Sequence, residues 1–264
     1  MKTLTTTLTT LLVAQWQVLA DETPSPQEIA NNAAKAAYYQ DADGRAEVSM
    51  KITDARGRER NRELVILRRD VDKDLGDQKF YVYFKTPADV SETAFLVWKH
   101  PQMDDDRWLY LPALDLVRRI AASDERTSFV GSHFFYEDVS GRSPTEDEHE
   151  LIEVTDHYYV LQSTPKEPDS VEFQYFKSWI HKPTGIAVKT EFYDAKEEVY
   201  RIYEALGVET IDGHPTVTRA KMTDHKRGGT TELTYSNVSY GIGLEDEIFA
   251  ERYLRNPPTD FLQP

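Results

Sequence analysis

The sequence predicts a mainly β fold, one antiparallel sheet large enough to curl into a barrel or half-barrel, covered by one or two short helices. Apolar and polar residues alternate with period two through roughly a dozen segments, each of ordinary strand length. These segments follow one another through short turns, as hairpins do, and no long period-3.6 stretch separates them as a βαβ fold would require. The 15 Tyr, 11 Phe and 4 Trp favour strands as well.

The first element is the exception. Ser25-Pro26-Gln27-Glu28 is a capping box with proline at the first helical position, and Ile29, Ala33, Ala36 and Ala37 follow on one stripe. A helix from Ser25 to about Tyr39 is expected, with an alanine face that lies close to a sheet but fills little volume. Asp43-Gly44 marks a turn. From Ala46 the period is two, with Ala46, Val48, Met50 and Ile52 opposite Glu47, Ser49, Lys51 and Thr53. After the Arg56-Gly57 turn, strands are expected at 60–69, 79–85, 93–99, 107–111 and 116–120, the last two joined by Pro112-Ala113-Leu114-Asp115. A short helix is expected at His133 to Asp138 and a charged connection at 143–150. Further strands are expected at 151–155, 158–163, 171–181, 186–193, 198–208, 216–224 and 230–240.

Strand twist curls a sheet of this size. Phe80, Val82 and Phe84 oppose Tyr81 and Tyr83, and Val171, Phe173 and Tyr175 oppose Phe176 and Ile180, so large side chains lie on both faces. That pattern is compatible with a filled barrel core and with an apolar hollow under the helix.

Composition narrows the function. The 264 residues carry 46 acidic and 31 basic side chains, a net charge of −15, which argues against a nucleic-acid footprint. The absence of cysteine excludes disulfides, thiolate metal sites, thiol nucleophiles and N-terminal lipidation on Cys. In residues 1–20, Lys2 is the only charge, Leu4 to Leu19 is apolar or threonine-rich, and Val18-Leu19-Ala20 suits signal peptidase. A cleaved leader, residues 1–20, and a single domain over 21–264 are expected. No later segment approaches the ~20 apolar residues of a membrane span, so the mature protein is expected to be soluble and periplasmic.

The centre of the chain carries a resemblance. Trp108-Leu109-Tyr110-Leu111-Pro112-Ala113-Leu114, Val117-Arg118-Arg119-Ile120 and Ser128-Phe129-Val130-Gly131-Ser132-His133-Phe134-Phe135-Tyr136-Glu137-Asp138-Val139 resemble the signature of the LolA-like outer-membrane lipoprotein-sorting family. Pro87-Ala88-Asp89-Val90 before Phe95-Leu96-Val97-Trp98, Asp104-Asp105-Asp106 before Trp108, and Phe249, Arg252, Tyr253 and Leu254 before Pro257 fit too. His133 departs from the aspartate usual at that place. The resemblance implies a curved antiparallel half-barrel closed by helices, whose apolar cavity shields acyl chains in the periplasm. It also implies lipid or lipoprotein as cargo, no cofactor, and a membrane exporter of the RND or MMPL type as partner. The candidate cavity residues are Ala33, Ala36, Ala37, Val48, Met50, Phe95, Trp98, Trp108, Phe129, Phe134 and Phe135. Phe129 to Val139 is read as either a plug at the barrel end or a lid over its mouth.

Catalytic constellations are not found: the sequence has no Gly-x-Ser-x-Gly, His-Glu-x-x-His or Walker loop. Asp70-x-Asp72-x-Asp74 fails as a calcium loop, because Leu75 replaces the required glycine and Tyr81 the required glutamate. Asp104 to Asp106 reads as a solvated hairpin tip, and the seven histidines show no ligand spacing. Arg118 and Arg119 must point to opposite faces of one strand. They are candidates for a lipid headgroup or an acidic partner surface, against solvated arginines beside Asp115 or Asp124. The expected function is therefore a non-enzymatic carrier of an amphipathic lipid or acylated protein, with a lipid-responsive sensor on the same scaffold as the alternative.

Overall fold

The structure, a computed structural model, describes residues 23–72 and 74–263. The expected leader, residues 1–20, lies outside the described residues. Helix α1 (Pro26–Tyr38) is followed by strands β1 (Asp43–Asp54), β2 (Glu59–Asp70), β3 (Gln78–Thr86), β4 (Ala94–Lys99), β5 (Asp106–Leu111) and β6 (Leu116–Ile120). After the short helix α2 (Glu137–Ser140) come β7 (Asp147–Val154), β8 (Tyr158–Pro165), β9 (Tyr175–His181), β10 (Ala187–Tyr193), β11 (Val199–Ile211), β12 (His214–Asp224) and β13 (Gly229–Tyr240), then α3 (Thr259–Leu262).

All thirteen strands form one antiparallel sheet in the order 6-5-4-3-2-1-13-12-11-10-9-8-7. Two meanders are thus joined where β1 pairs with β13, from Gly44 opposite Tyr240 to Asp54 opposite Gly229. β6 and β7 remain unpaired edges, so the sheet is a curved half-barrel and not a closed barrel.

The first meander is covered on both faces, which explains its double-sided apolar pattern. On the concave face Val48, Met50, Leu64, Phe80, Phe84, Phe95 and Leu109 pack with Phe129, Phe134 and Tyr136. On the convex face Val65, Leu67, Tyr81, Leu96 and Trp108 pack beneath Leu244, Ile248, Phe249, Leu254 and Leu262 of the C-terminal segment. Tyr81 Oη donates to the Tyr253 carbonyl at 2.8 Å, so the buried hydroxyl is satisfied as the segment is fixed.

Residues 121–146 link β6 to β7, one edge of the sheet to the other, and therefore run as a strap across the concave side. The strap is held by ions. Fully buried Arg201 pairs with Asp138, donates to the His133 carbonyl at 3.1 Å and lies 3.9 Å from the centre of the Phe135 ring. Arg126 pairs with Glu137 and, at 2.6 Å, with Glu172. Arg142 bridges Glu137 at 3.2 Å and Asp147 at 3.0 Å.

Five local expectations are corrected. Asp43-Gly44 is no turn but the start of β1, paired with Arg69 and Arg68, with the Asp43 carboxylate accepting from the amides of Ile242 and Leu244. The helix expected at 133–138 begins only at Glu137, because residues 133–135 are bonded elsewhere: the His133 amide donates to Thr231 Oγ1 at 3.0 Å, the Phe134 carbonyl accepts from the Phe129 amide at 2.8 Å, and Phe135 pairs with Ser128 in an antiparallel bridge. The strand expected from Val171 begins at Tyr175: a turn at Pro168–Ser170 lets buried Phe173 tuck beneath Arg126, 4.8 Å from its guanidinium. β7 starts within the charged connection, at Asp147, whose buried carboxylate is held by Arg142. Asp105 is no solvated tip; it lies nearly buried, 2.7 Å from Arg107.

Removing one member of a buried ion pair leaves an uncompensated charge, at a cost of about 3–5 kcal/mol. Arg201→Leu is expected to lose about that much unfolding free energy, measured by urea denaturation. A loss below ~1 kcal/mol would show that the strap is not pinned by this pair.

Candidate functional site

Helix α1 begins at its capping box, with Ser25 accepting from the Glu28 amide and Glu28 accepting from the Ser25 amide. Ile29 and Ala30 are buried against Leu161 and Ile180 of β8 and β9. The helix sits as near the β9–β10 hairpin as a glycine allows: a Cβ on Gly185, at φ +72°, would stand 3.1 Å from the Ala36 methyl and 3.2 Å from the Asn32 carbonyl. Its C-terminal end is anchored to the first meander. The Tyr38 carbonyl accepts from Arg68 and from Gln78, each at 2.7 Å. The Tyr38 ring rests on Gly141 of the strap, where a Cβ would overlap it.

Between α1 and the concave face lies a hollow of about 450 Å³, within the range of small-molecule binding sites. Its floor is Val48, Met50, Leu64, Ile66, Met222 and Leu233, and its far wall is Leu161, Phe176, Ile180, Phe192 and Tyr203. The hollow exists because five alanines of α1, at 30, 33, 34, 36 and 37, roof it and fill so little of it. Charged groups border it where the strap passes, and Arg126, Glu137, Asp138, Arg142 and Asp147 are already paired with one another or with Arg201 and Glu172.

Of the residues expected to line a cavity, Ala33, Ala36, Ala37, Val48, Met50, Phe129 and Phe134 do line this one. Phe95, Trp98, Trp108 and Phe135 do not. Phe95 is on the concave face, but its ring packs on Phe129 and Tyr136, with centroids 5.4 and 5.2 Å away, and so lies behind the plug. Trp98 and Trp108 are on the convex face, edge to face at 4.9 Å, and Trp98 Nε1 donates to the Phe249 carbonyl at 2.8 Å. Phe135 faces Arg201 and Arg126 instead of the hollow. Arg118 and Arg119 lie at the β6 edge, away from the hollow. Arg118 is 3.3 Å from Asp124, and Arg119 pairs with Asp106 over the Trp108 ring.

Between the plug and lid readings of Phe129–Val139, the side chains of Phe129, Phe134 and Tyr136 form a plug. His133 is a satisfied histidine: its amide and Nδ1 both meet Thr231 Oγ1, at 3.0 and 2.9 Å, and burial, with Arg227 nearby, holds its pKa below the ordinary value. The far wall from β8 to β11 was not among the expected lining residues, although Phe176 and Ile180, two apart from Ser178, carried the signal.

Lys99 joins the roof to the strap. Its buried ammonium donates to the Ser140 carbonyl at 2.8 Å and lies 5.4 and 5.8 Å from the Tyr38 and Tyr39 ring centres. Burial pushes its pKa down to about 8, against the opposing pull of Asp105, Glu146 and Glu137.

Fold and site together define a class: a half-barrel roofed by one helix over an apolar hollow. A family model described as an uncharacterized protein matches residues 76–256. A DUF1329 family protein from Desulfovibrio piger is 30% identical, with a TM-score of 0.79 over 87% of this chain and 97% of that one. An outer membrane lipoprotein-sorting protein domain, so described, from Vibrio parahaemolyticus is 29% identical, with a TM-score of 0.78 over 87% and 98%. A LolA superfamily protein from Nitrosomonas europaea is 23% identical, with a TM-score of 0.67 over 88% and 100%. No curated protein matches significantly. The chain belongs to the DUF1329 family. It has the LolA-type fold, as the resemblance of its central segments led one to expect. Among the described residues there is no cluster suited to a metal ion and no helix long and apolar enough to cross a membrane.

The depressed pKa of Lys99 has a definite sign for stability. Between pH 8 and the unfolded value near ~10.4, the unfolded chain binds a proton that the folded chain does not, so stability rises with pH. Wild type is therefore expected to gain on the order of 2 kcal/mol relative to Lys99→Met between pH 8 and pH 10, read by urea denaturation at both values. A difference independent of pH would place the ammonium in water.

Proposed function

We propose that the protein is a carrier that holds the acyl part of an amphipathic lipid, or of an acylated protein, in the hollow during transfer between membranes. On this reading it acts in the periplasm after loss of residues 1–20, acts by binding and not by catalysis, and passes cargo to or from an RND-type membrane exporter. The observation that carries the reading is the hollow itself, about 450 Å³, apolar on floor and far wall and roofed by alanines. An apolar cavity of that size has no use for water and favours an apolar guest. The lipoprotein-sorting description of the Vibrio parahaemolyticus relative supports it, at 29% identity over nearly the whole length of both chains.

The roof suits reversible loading. Complete burial is worth about 0.8 kcal/mol per methylene, so a sixteen-carbon chain enclosed fully would be held by ~13 kcal/mol, too tightly for easy hand-over. A partly open hollow under a helix with an alanine face encloses the chain incompletely, and α1 can lift with the loss of little buried apolar area. The plug is a poorer candidate for movement, because the buried ion pairs fix it.

Ala33→Leu with Ala37→Leu places two larger side chains in the roof while sparing Ala36, whose methyl lies against Gly185. This double variant is expected to melt within a few degrees of the parent and to bind a fluorescent fatty acid at least tenfold more weakly in titration. Parent-like binding by the folded variant would show that the roof does not border the cargo. A ligand at 100 times its dissociation constant adds ~2.7 kcal/mol to folding. Exhaustive delipidation is therefore expected to lower the melting temperature by roughly 5–10 °C, and an unchanged melt with no lipid in the extract would count against a native cargo.

A further inference from the structure

A second cleft, of about 310 Å³, opens at the end of the half-barrel beyond the plug, and its lining is the chemical opposite of the hollow. The β1–β2 hairpin brings Asp54, Arg56, Arg58 and Arg60 to it, the strap brings Gly131 and His133, and the β12–β13 turn brings Arg227 and Gly228. Four arginines thus converge in a chain whose net charge is −15. Arg58 is neutralised by Asp54, with Nε to Oδ2 at 2.7 Å. Arg56 and Arg60 have no side-chain hydrogen bond or ion pair among the described residues, and Arg227 uses one N–H on the Ser132 carbonyl at 2.7 Å. Gly131, at φ +78°, leaves the wall open, since even a Cβ there would come no nearer than 3.8 Å to Arg62 Nη2 and 4.0 Å to Arg60 Nη1.

We propose that this cleft is a phosphate-binding site, in which the guanidinium groups of Arg56, Arg60 and Arg227 share the oxygens of one phosphate group. Three uncompensated guanidinium forks around a small pocket call for an anion with several acceptor oxygens and more than one charge, which phosphate supplies and a single carboxylate does not. The site requires nothing of the carrier reading. Its relation to the hollow is nevertheless direct: along the concave face of β2 the side chains run Arg60, Arg62, Leu64, Ile66, so the basic cleft and the hollow floor are consecutive on one strand face. If the carrier reading holds, a phospholipid headgroup is one source of that phosphate; free phosphate is the other.

The test uses the full mature chain. Inorganic phosphate is titrated into wild type and into Arg56→Ala with Arg60→Ala by calorimetry, at ionic strength held constant with chloride. Wild type is expected to bind, and the double variant to bind at least tenfold more weakly while keeping the parent melting temperature and fatty-acid affinity. No binding of phosphate by wild type, or an unchanged dissociation constant in the variant, overturns the site. Cosedimentation with phosphatidylcholine vesicles, with and without phosphatidylglycerol, separates the sources. Binding only to the anionic vesicles that phosphate competes away identifies a headgroup, and phosphate binding without vesicle binding identifies free phosphate. Loss of fatty-acid binding in wild type would overturn the carrier reading and leave the phosphate site standing.

Discussion

Residues 121–146 must carry the chain from one edge of a thirteen-stranded sheet to the other, and the path they take lies through the concave interior, where backbone groups have no water. The carbonyls of Val130, Ser132 and His133 are each met by an arginine, from Arg62, Arg227 and Arg201 in turn. The acidic groups of the same segment, Glu137 and Asp138, are met by Arg126, Arg142 and Arg201. Burying so many ions gains stability only when every partner is present, because each orphaned charge costs more than its pair contributed. The strap is therefore fixed as a unit. It bounds the hollow on one side and the basic cleft on the other.

That fixity explains why the two halves of the sheet differ. The first meander has the plug on its concave face and the C-terminal segment on its convex face, and its core residues are almost wholly buried. The second meander is covered by α1 and, at Arg201 and Thr231, by the strap, and every residue of β10 remains partly exposed. Protein interiors normally fill to the density of organic crystals. Here the volume that side chains from a larger-faced helix would occupy is left open, and Gly185 sets how low the helix sits. The rigid half supplies the frame, and the lightly covered half supplies the space.

Much of this was legible in the residues themselves. The capping box at Ser25, the alanine stripe and the alternation of nearly every strand are local signals, read over a few residues and fixed by backbone geometry. The central segments Trp108–Leu114, Val117–Ile120 and Ser128–Val139 pointed to the LolA-type fold because their pattern is dense and specific. The alternation Arg56, Arg58, Arg60, Arg62 was equally visible, as a period-two row of one charge in an acidic chain, yet its meaning was not.

By itself the sequence determined, between the bulges that interrupt β1, β7, β10 and β11, which side chains share a face, since period two fixes it there, but it did not determine which face looks inward. Phe95 and Trp98 belong to opposite faces of β4, and both faces of that strand are buried, so hydrophobicity could not choose between them. Only the tertiary structure decided that Trp98 and Trp108 lie under the C-terminal segment and that Val48 and Met50 look into the hollow. Likewise the basic cleft forms only when the β1–β2 hairpin, the strap and the β12–β13 turn meet. The physical reason is the same in both cases: local periodicity is a property of the backbone, whereas a cavity or a cluster of charges is defined by elements distant in the chain and brought together by the sheet order.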